Sequence, residues 1–316
     1  MEITKNKEKL IQAVREIVSK KLNSDVKSVK YIGGGSFGRV FKVITDGSPN
    51  VVVMKVCLVS DMHRKEAAQL KLLSEHSSIK IPKVYFTFDK TDEYPIDCLC
   101  MEFVEGKDAF TNFGLLFKSK KQKKRFANAV VDAMIGIHSH SNNKFGDIEN
   151  PVFDTWQDYY KPFATSIFEQ ATTLRQNKQL PKYVYDAMKK AWNKYDIIFE
   201  ETVDMPALIH GDLNVMNIMV KKPFEVEAII DPLNSMFADR EYDLFQLNNL
   251  TGRCFGLYKT YKEKYTVSNN CDIKCAFYAL WNEVYCFIKS GALIPFIMRP
   301  IVKEMNKQIK IINSRS

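Results

Sequence analysis

The sequence predicts a bilobal α+β fold, with a small antiparallel-sheet lobe at the amino terminus and a larger helical lobe after it. Three observations lead there. Up to about residue 103, β-branched apolar runs alternate with turn clusters and enclose only one helical stretch after the first helix. From Lys118 onward the apolar residues recur mostly at helical spacing. A chain of 316 residues is also long enough for roughly two lobes, each with a core.

The elements follow in order. "MEITKNKEKLIQAVREIVSKKL" is amphipathic with scattered charges, so it reads as a first helix and has no apolar segment of secretory type. "VKSVKYIGG" and "RVFKVITDG" read as strands on either side of a glycine-rich loop, and "VVVMKVCLV" as a third strand. "DMHRKEAAQLKLLSEH" has helical spacing, and "IPKVYFTFD" and "IDCLCMEFV" are two further strands. The strong helices beyond are "KKRFANAVVDAMIGIHSH", "YVYDAMKKAWNKYDIIFEE", "DLFQLNNLTG" and "CAFYALWNEVYCFIKSG". "LIHGDLNVMNIMV" and "VEAIIDP" between them read as a short hairpin with a loop inside it. No internal repeat or low-complexity segment stands out.

Composition excludes several classes. The apolar fraction of 46% and charged fraction of 26% are those of an ordinary globular protein. The longest apolar runs fall far short of the ~20 residues that span a bilayer, so no membrane role is expected. Seven cysteines, odd in number and mostly among apolar neighbours, suit buried free thiols and a cytoplasmic location better than a disulfide framework. The net charge of +9 raises a nucleic-acid partner, with "KSKKQKKR" (Lys118 to Arg125) as its footprint. No aromatics interleave with those charges, so a solvated helix start is the better reading and no nucleic-acid partner is expected.

The chemistry begins at "YIGGGSFGRVFKV". Gly33, Gly35, Gly38 and Val40 fit G-x-G-x-x-G-x-V, with Ser36 at the loop tip. A dinucleotide-binding loop of Rossmann type needs a helix directly after the glycines. Here alternating β-formers follow and run into a turn, which makes a hairpin. A glycine-loop hairpin laid over nucleotide phosphates predicts a lysine on the next strand, and Lys55 stands there, with Glu66 on the following helix placed to face it.

The strongest signal is "IHGDLNVMNIMV" followed by "AIIDP". His210, Asp212 and Asn217 fit H-x-D-x-x-x-x-N, and Asp231 ends an apolar strand 14 residues after Asn217. Phosphoryl transfer needs a carboxylate to orient the attacking hydroxyl and take its proton, and hard oxygen ligands for magnesium beside a triphosphate. Capping and turn roles would explain any one of these residues, but not the whole ordered set.

This order of motifs resembles the protein-kinase-like fold. "HGD" stands where protein kinases have H-R-D, "DPL" where they have D-F-G, and no A-P-E follows. "HGDLNVMNIM" and "IIDP" are instead similar to the aminoglycoside phosphotransferase and choline kinase superfamily. Within it, "HGDLNVMNIM … IIDPLNSMFADREYDLFQL" and "IHSHSNNKFGDIENPVFDTWQDYYKPF" most resemble the fructosamine kinase family, although "GGGSFGRV" is nearer the protein-kinase consensus.

The resemblance implies Asp212 as catalytic base, Asn217 and Asp231 as magnesium ligands, and Lys55, held by Glu66, on the α/β phosphates of ATP. It implies that the backbone of Glu102 and Val104 binds adenine, with Met101 lining the pocket. The hinge would lie at about 101–105, between a nucleotide-binding lobe (1–103) and a catalytic and acceptor-binding lobe (106–316). His210 reads as a buried strut, and Asp239, Arg240 and Asp243 as anchors acting through ion pairs. Trp156, Asp158, Tyr159, Tyr160, Trp281, Glu283 and Tyr285 are candidate acceptor-pocket residues, although a core role is the better reading for most of the rings.

The implied function is an ATP- and magnesium-dependent kinase acting on a hydroxyl of a small sugar or fructosamine-like acceptor. The alternatives are an aminoglycoside-type antibiotic phosphotransferase and an inactive pseudokinase that only binds. The sequence is silent on oligomeric state.

Overall fold

The computed structural model describes residues 6–35, 37–112, 114, 117–221 and 225–314. The chain runs α1 (Lys7–Leu22), β1 (Val26–Gly34), β2 (Gly38–Thr45), β3 (Val51–Cys57), α2 (Met62–His76), β4 (Val84–Phe88) and β5 (Asp97–Glu102). It continues through β6 (Lys107–Asp108), α3 (Lys120–His138), β7 (Gly146–Asp147), α4 (Trp156–Gln176), α5 (Lys182–Trp192), α6 (Tyr195–Ile198) and β8 (Ala207–Ile209). The rest comprises β9 (Ile218–Lys221), β10 (Glu225–Ile229), β11 (Met236–Ala238), α7 (Glu241–Leu247), α8 (Leu250–Phe255), α9 (Leu257–Lys264), α10 (Cys271–Ser290) and α11 (Pro295–Asn313). No described helix is long and apolar enough to cross a membrane.

Two compact units form: 1–107 with 218–233, and 108–217 with 234–316. The region after the proposed hinge is therefore not one continuous unit. Backbone pairing is the reason. Ala228 bridges Lys80 in parallel, and the Ile229 N–H donates to the Lys80 carbonyl at 2.9 Å, which joins the β9–β10 hairpin to the first unit.

The first unit is built on a five-stranded antiparallel sheet in the order β1-β2-β3-β5-β4. Side chains alternate across a strand, so β3 divides its residues between two faces. Val52, Met54 and Val56 join Phe41, Val43, Cys98 and Cys100 in a core covered by Leu10, Val14, Ile17 and Val18 of α1. Lys55 falls on the other face, between its cross-strand neighbours Val40 and Leu99, where α2 buries Glu66, Leu70 and Leu73.

The second unit is mostly helical. α3 starts with a capping box between Ser119 and Gln122, and the lysines around it are largely exposed, as a solvated helix start requires. β8 pairs with β11 in a small sheet, β7-β11-β8, so the stretch from Leu208 to Val220 does not form one hairpin with 226–232. Only its end does, as β9 with β10. The aromatic segment after Phe153 becomes α4, whose N-cap Thr155 accepts from the Asp158 N–H.

α10 runs through the core. Trp281 stacks on Phe277 with centroids 3.7 Å apart and donates to the Ala164 carbonyl at 2.9 Å. Trp156 donates to the Tyr278 hydroxyl at 2.8 Å. Beneath them Lys274 is buried between Asp239 (2.6 Å) and Glu241 (2.8 Å). Burial alone would push the Lys274 ammonium down, but these two carboxylates override it and hold the group charged.

Lys274→Met leaves two buried carboxylates without a cation. We expect a loss of about 3 kcal/mol or more in urea-induced unfolding, the scale for breaking a buried pair from one side.

Candidate active site

Each unit carries part of the predicted chemistry. In the first unit, β1 and β2 meet in the glycine loop, where the Gly35 N–H donates to the Gly38 carbonyl at 3.1 Å. The position that demands glycine is Gly34: at φ +152° a Cβ would lie 2.5 Å from the Gly38 oxygen. Gly38 is tight as well, with a Cβ placed 3.1 Å from the Val56 oxygen. At Gly33 and Gly35 a Cβ would meet nothing within 4 Å, so internal packing does not require their bareness. Ser36 lies outside the described residues.

Under this loop, Lys55 binds Glu66 at 2.7 Å and Asp231 at 2.7 Å. Lys55 is 7% exposed, and burial pushes its pKa down, yet the two carboxylates reverse that and keep it above the ordinary lysine range. Glu66 moves upward, because burial outweighs the help it receives from Lys55. Asp231 differs from both. Its side chain is 48% exposed, and its backbone has φ +58°, a left-handed conformation uncommon outside glycine. Met101 and Glu102 close β5, the Glu102 N–H donates to the Lys83 carbonyl at 2.8 Å, and Val104 is buried just beyond.

In the second unit, β8 delivers the chain to a loop held from below by Asp243. One Asp243 oxygen accepts the His210 N–H at 2.8 Å and the other the Gly211 N–H at 2.7 Å. His138 lies 3.1 Å from the same carboxylate through Nε2, and its Nδ1 lies 2.9 Å from the Tyr261 hydroxyl. Burial raises the Asp243 pKa, but the hydrogen bond and charge of His138 outweigh it and hold the carboxyl below its ordinary value. Gly211 allows the turn: φ is +81°, and a Cβ would lie 2.2 Å from the Asn234 oxygen.

The loop presents Asp212, whose oxygens accept from Gln246 Nε2 at 2.9 Å, Asn214 Nδ2 at 3.1 Å and Asn217 Nδ2 at 3.2 Å. Asn217 also donates to the Asp212 carbonyl at 2.8 Å. The buried imidazole of His210 supports the turn, with Nδ1 accepting from the Asp212 N–H at 3.3 Å.

The remaining candidates divide, and the ion pair expected of Arg240 is the one to be revised. Asp239 and Asp243 do anchor through Lys274 and His138, but Arg240 forms no ion pair with the described acids. It lies over the Tyr265 ring at 4.4 Å and donates to the Thr266 carbonyl at 3.2 Å. Trp156, Tyr160 and Trp281 belong to the core, because their rings interlock with Phe199, Phe277 and Tyr278. Asp158 is an exposed capping residue that accepts from Thr155 at 2.7 Å. Tyr159, Glu283 and Tyr285 keep partial exposure. Gln246 and Asn214 went unrecognised, although both had a signal. Gln246 follows Asp243 by three residues on a helix, and Asn214 lies inside the loop motif itself.

This architecture is the protein-kinase-like fold. Solved structures superpose over nearly the whole chain. A thermostable mutant of the aminoglycoside phosphotransferase APH(4)-Ia, in ternary complex with ADP and hygromycin B, gives a TM-score of 0.68 at 16% identity, covering 94% of this chain and 98% of that one. A candidate fructosamine-3-kinase from Haemophilus somnus 129PT gives 0.67 at 15% identity, covering 94% and 97%. The GDP complex of aminoglycoside 2'-phosphotransferase-IIIa gives 0.66 at 15%, covering 95% and 98%.

In sequence, the serine/threonine-protein kinases sax-1 of Caenorhabditis briggsae and Caenorhabditis elegans are each 33% identical over 93 residues. That span is 28% of this chain and only 19% of either relative. The profile of the fructosamine kinase family matches residues 10–289, and the chain belongs to that family. It is a phosphotransferase of the small-molecule kinase class.

Asp243→Asn sets an amide against two backbone N–H donors. We expect about 2–3 kcal/mol less stability at pH 7, the scale for unsatisfied buried groups beside a charge, and a loss of phosphotransfer. The sign follows from the lowered pKa. The carboxylate's contribution is present above the ordinary aspartate value of 3.8 and disappears as the pH falls through the lower folded value. The difference between the denaturant curves of wild type and variant should therefore shrink as the pH is lowered from 7 to below 3.8.

Proposed function

We propose that the protein transfers the γ-phosphate of ATP, with magnesium, to a hydroxyl of a sugar or fructosamine-like acceptor. The observation that carries this reading is Lys55, a buried ammonium kept charged between Glu66 and Asp231 beneath a glycine loop. A permanent cation there suits phosphate oxygens, and Glu66 keeps it oriented. The bare Cα atoms of Gly33 and Gly35 suit a close approach of phosphates to the backbone. The aminoglycoside phosphotransferase in complex with ADP supports a nucleotide in this role. Ser36, Gly38 and Val40 would complete the cover, and Met101, Glu102 and Val104 the adenine contacts.

Asp212 is the proposed base. Gln246, Asn214 and Asn217 donate to it, which fixes its orientation toward the acceptor hydroxyl whose proton it takes. Asn217 and Asp231 are the proposed magnesium ligands, and the donor set fits. Asn217 uses only Nδ2 in its hydrogen bonds to Asp212, so its Oδ1 accepts none from the described residues, and Asp231 offers an exposed carboxylate. A hard divalent ion held by such oxygens neutralises charge on the phosphates. Free thiols, five of the seven cysteines being buried, fit a cytoplasmic location.

An ADP-release screen over fructosamines, simple sugars, amino alcohols and aminoglycosides tests the acceptor, and we expect turnover with the fructosamine group. Turnover with aminoglycosides alone would instead make this an antibiotic-modifying enzyme. Asp212→Asn should lower kcat about 10²–10⁴-fold, the range for loss of a general base. Equal ADP release from wild type and variant would remove Asp212 from the chemistry.

A further inference from the structure

α11 turns one face to the core and leaves the other bare. Met298, Val302, Met305, Ile309 and Ile312 are buried where the helix packs on α5 and α10. Phe296, Arg299, Pro300, Lys303, Lys307 and Lys310 are exposed. Those exposed positions recur every three to four residues, so they form one stripe along the helix. The stripe is apolar at its amino-terminal end and cationic beyond it. Phe296 is 72% exposed, the N-cap Ile294 49% and Ile297 38%, all in the stretch "GALIPFIM" that joins α10 to α11.

Three large apolar side chains here leave much of their surface in water, a cost that a covering surface would recover. The surrounding charges point to what covers them. No acid occurs from Val284 to Lys303. Glu304, the one acid of α11, is half-buried and bonded by Gln308 at 2.8 Å and Lys307 at 3.4 Å. On the neighbouring α5, Asp186 is likewise taken up by Lys182 at 2.6 Å. Arg299, Lys303 and Lys310 have no ion pair among the described residues. An apolar tip beside unpaired cations is complementary to an anionic lipid surface, which offers phosphates to the cations and an acyl boundary to the tip. A nucleic acid would use the cations and leave the isoleucines in water. A second copy would bring the same cations against one another.

We propose that this end of the helical unit docks on the surface of an anionic phospholipid bilayer. Ile294, Phe296 and Ile297 enter the headgroup boundary, and Arg299, Lys303 and Lys310 lie against the lipid phosphates. The chain's apolar runs are too short to span a bilayer, and no described helix could cross one, but a surface contact needs no span. None of the residues assigned to phosphotransfer belongs to this surface, so the inference stands apart from the proposed function.

The test is co-sedimentation of the purified full chain with vesicles of phosphatidylcholine alone and of phosphatidylcholine mixed with phosphatidylglycerol. Wild type should bind the mixed vesicles, bind the neutral ones about tenfold more weakly, and come off as added salt screens the charges. Phe296→Asp should weaken binding to the mixed vesicles about tenfold or more, and so should the double variant Arg299→Glu, Lys303→Glu. These side chains are exposed, so the thermal midpoints should match wild type. If that of Phe296→Asp falls, Phe296→Ser in the same assay decides. Failure of wild type to bind the mixed vesicles overturns the proposal, as does binding that neither variant weakens. Equal binding to both kinds of vesicle overturns it too, because the cations would then play no part. So would either of two other occupants, each without vesicle binding. One is a wild-type dimer, seen by light scattering, that Phe296→Asp dissolves; the other is retention on single-stranded RNA.

Discussion

Asp243 is withdrawn from water and still ionised, and the loop that carries Asp212 depends on that. Its two oxygens take the backbone N–H groups of His210 and Gly211, and His138 closes the set from the other side. Fixing a loop of this kind costs conformational entropy at every residue. A charged acceptor bound to two successive N–H groups offsets that with bonds stronger than neutral ones, and it also dictates where the next side chain emerges. Gly211 complies because it has no Cβ to strike Asn234. Asp212 then inherits its direction from backbone that Asp243 has already positioned.

Lys55 illustrates the same balance with the charges reversed. Desolvation works against its ammonium, and the fields of Glu66 and Asp231 win. The pairing is asymmetric. Glu66 is buried with the lysine and acts as a strut, while Asp231 stays nearly half exposed on a left-handed backbone. Asp231 therefore reaches solvent where Glu66 does not.

The core of the helical unit explains why aromatic residues by themselves do not mark an acceptor site. Trp156, Tyr160 and Trp281 sit beside acids in the sequence, as pocket residues would, but their rings fill α4–α10 packing and their polar atoms bond inside it. An indole or phenol buries a large apolar area and still needs one hydrogen bond, so core and pocket demand the same residue types.

The local order of chemistry was written in the chain. The hairpin around the glycines, the strand carrying Lys55, the helix carrying Glu66 and the Asp212–Asn217 spacing all follow from periodicities of two and 3.6 residues and from turn chemistry, which act over a few residues at a time. Tertiary structure alone decided that Asp231 reaches Lys55 across 176 residues, that β8 pairs with β11, that Gln246 steadies Asp212, and that Arg240 turns to Tyr265. Those contacts join segments whose local patterns say nothing of one another. They are set by which surfaces can be buried together without leaving a backbone or charged group unmatched.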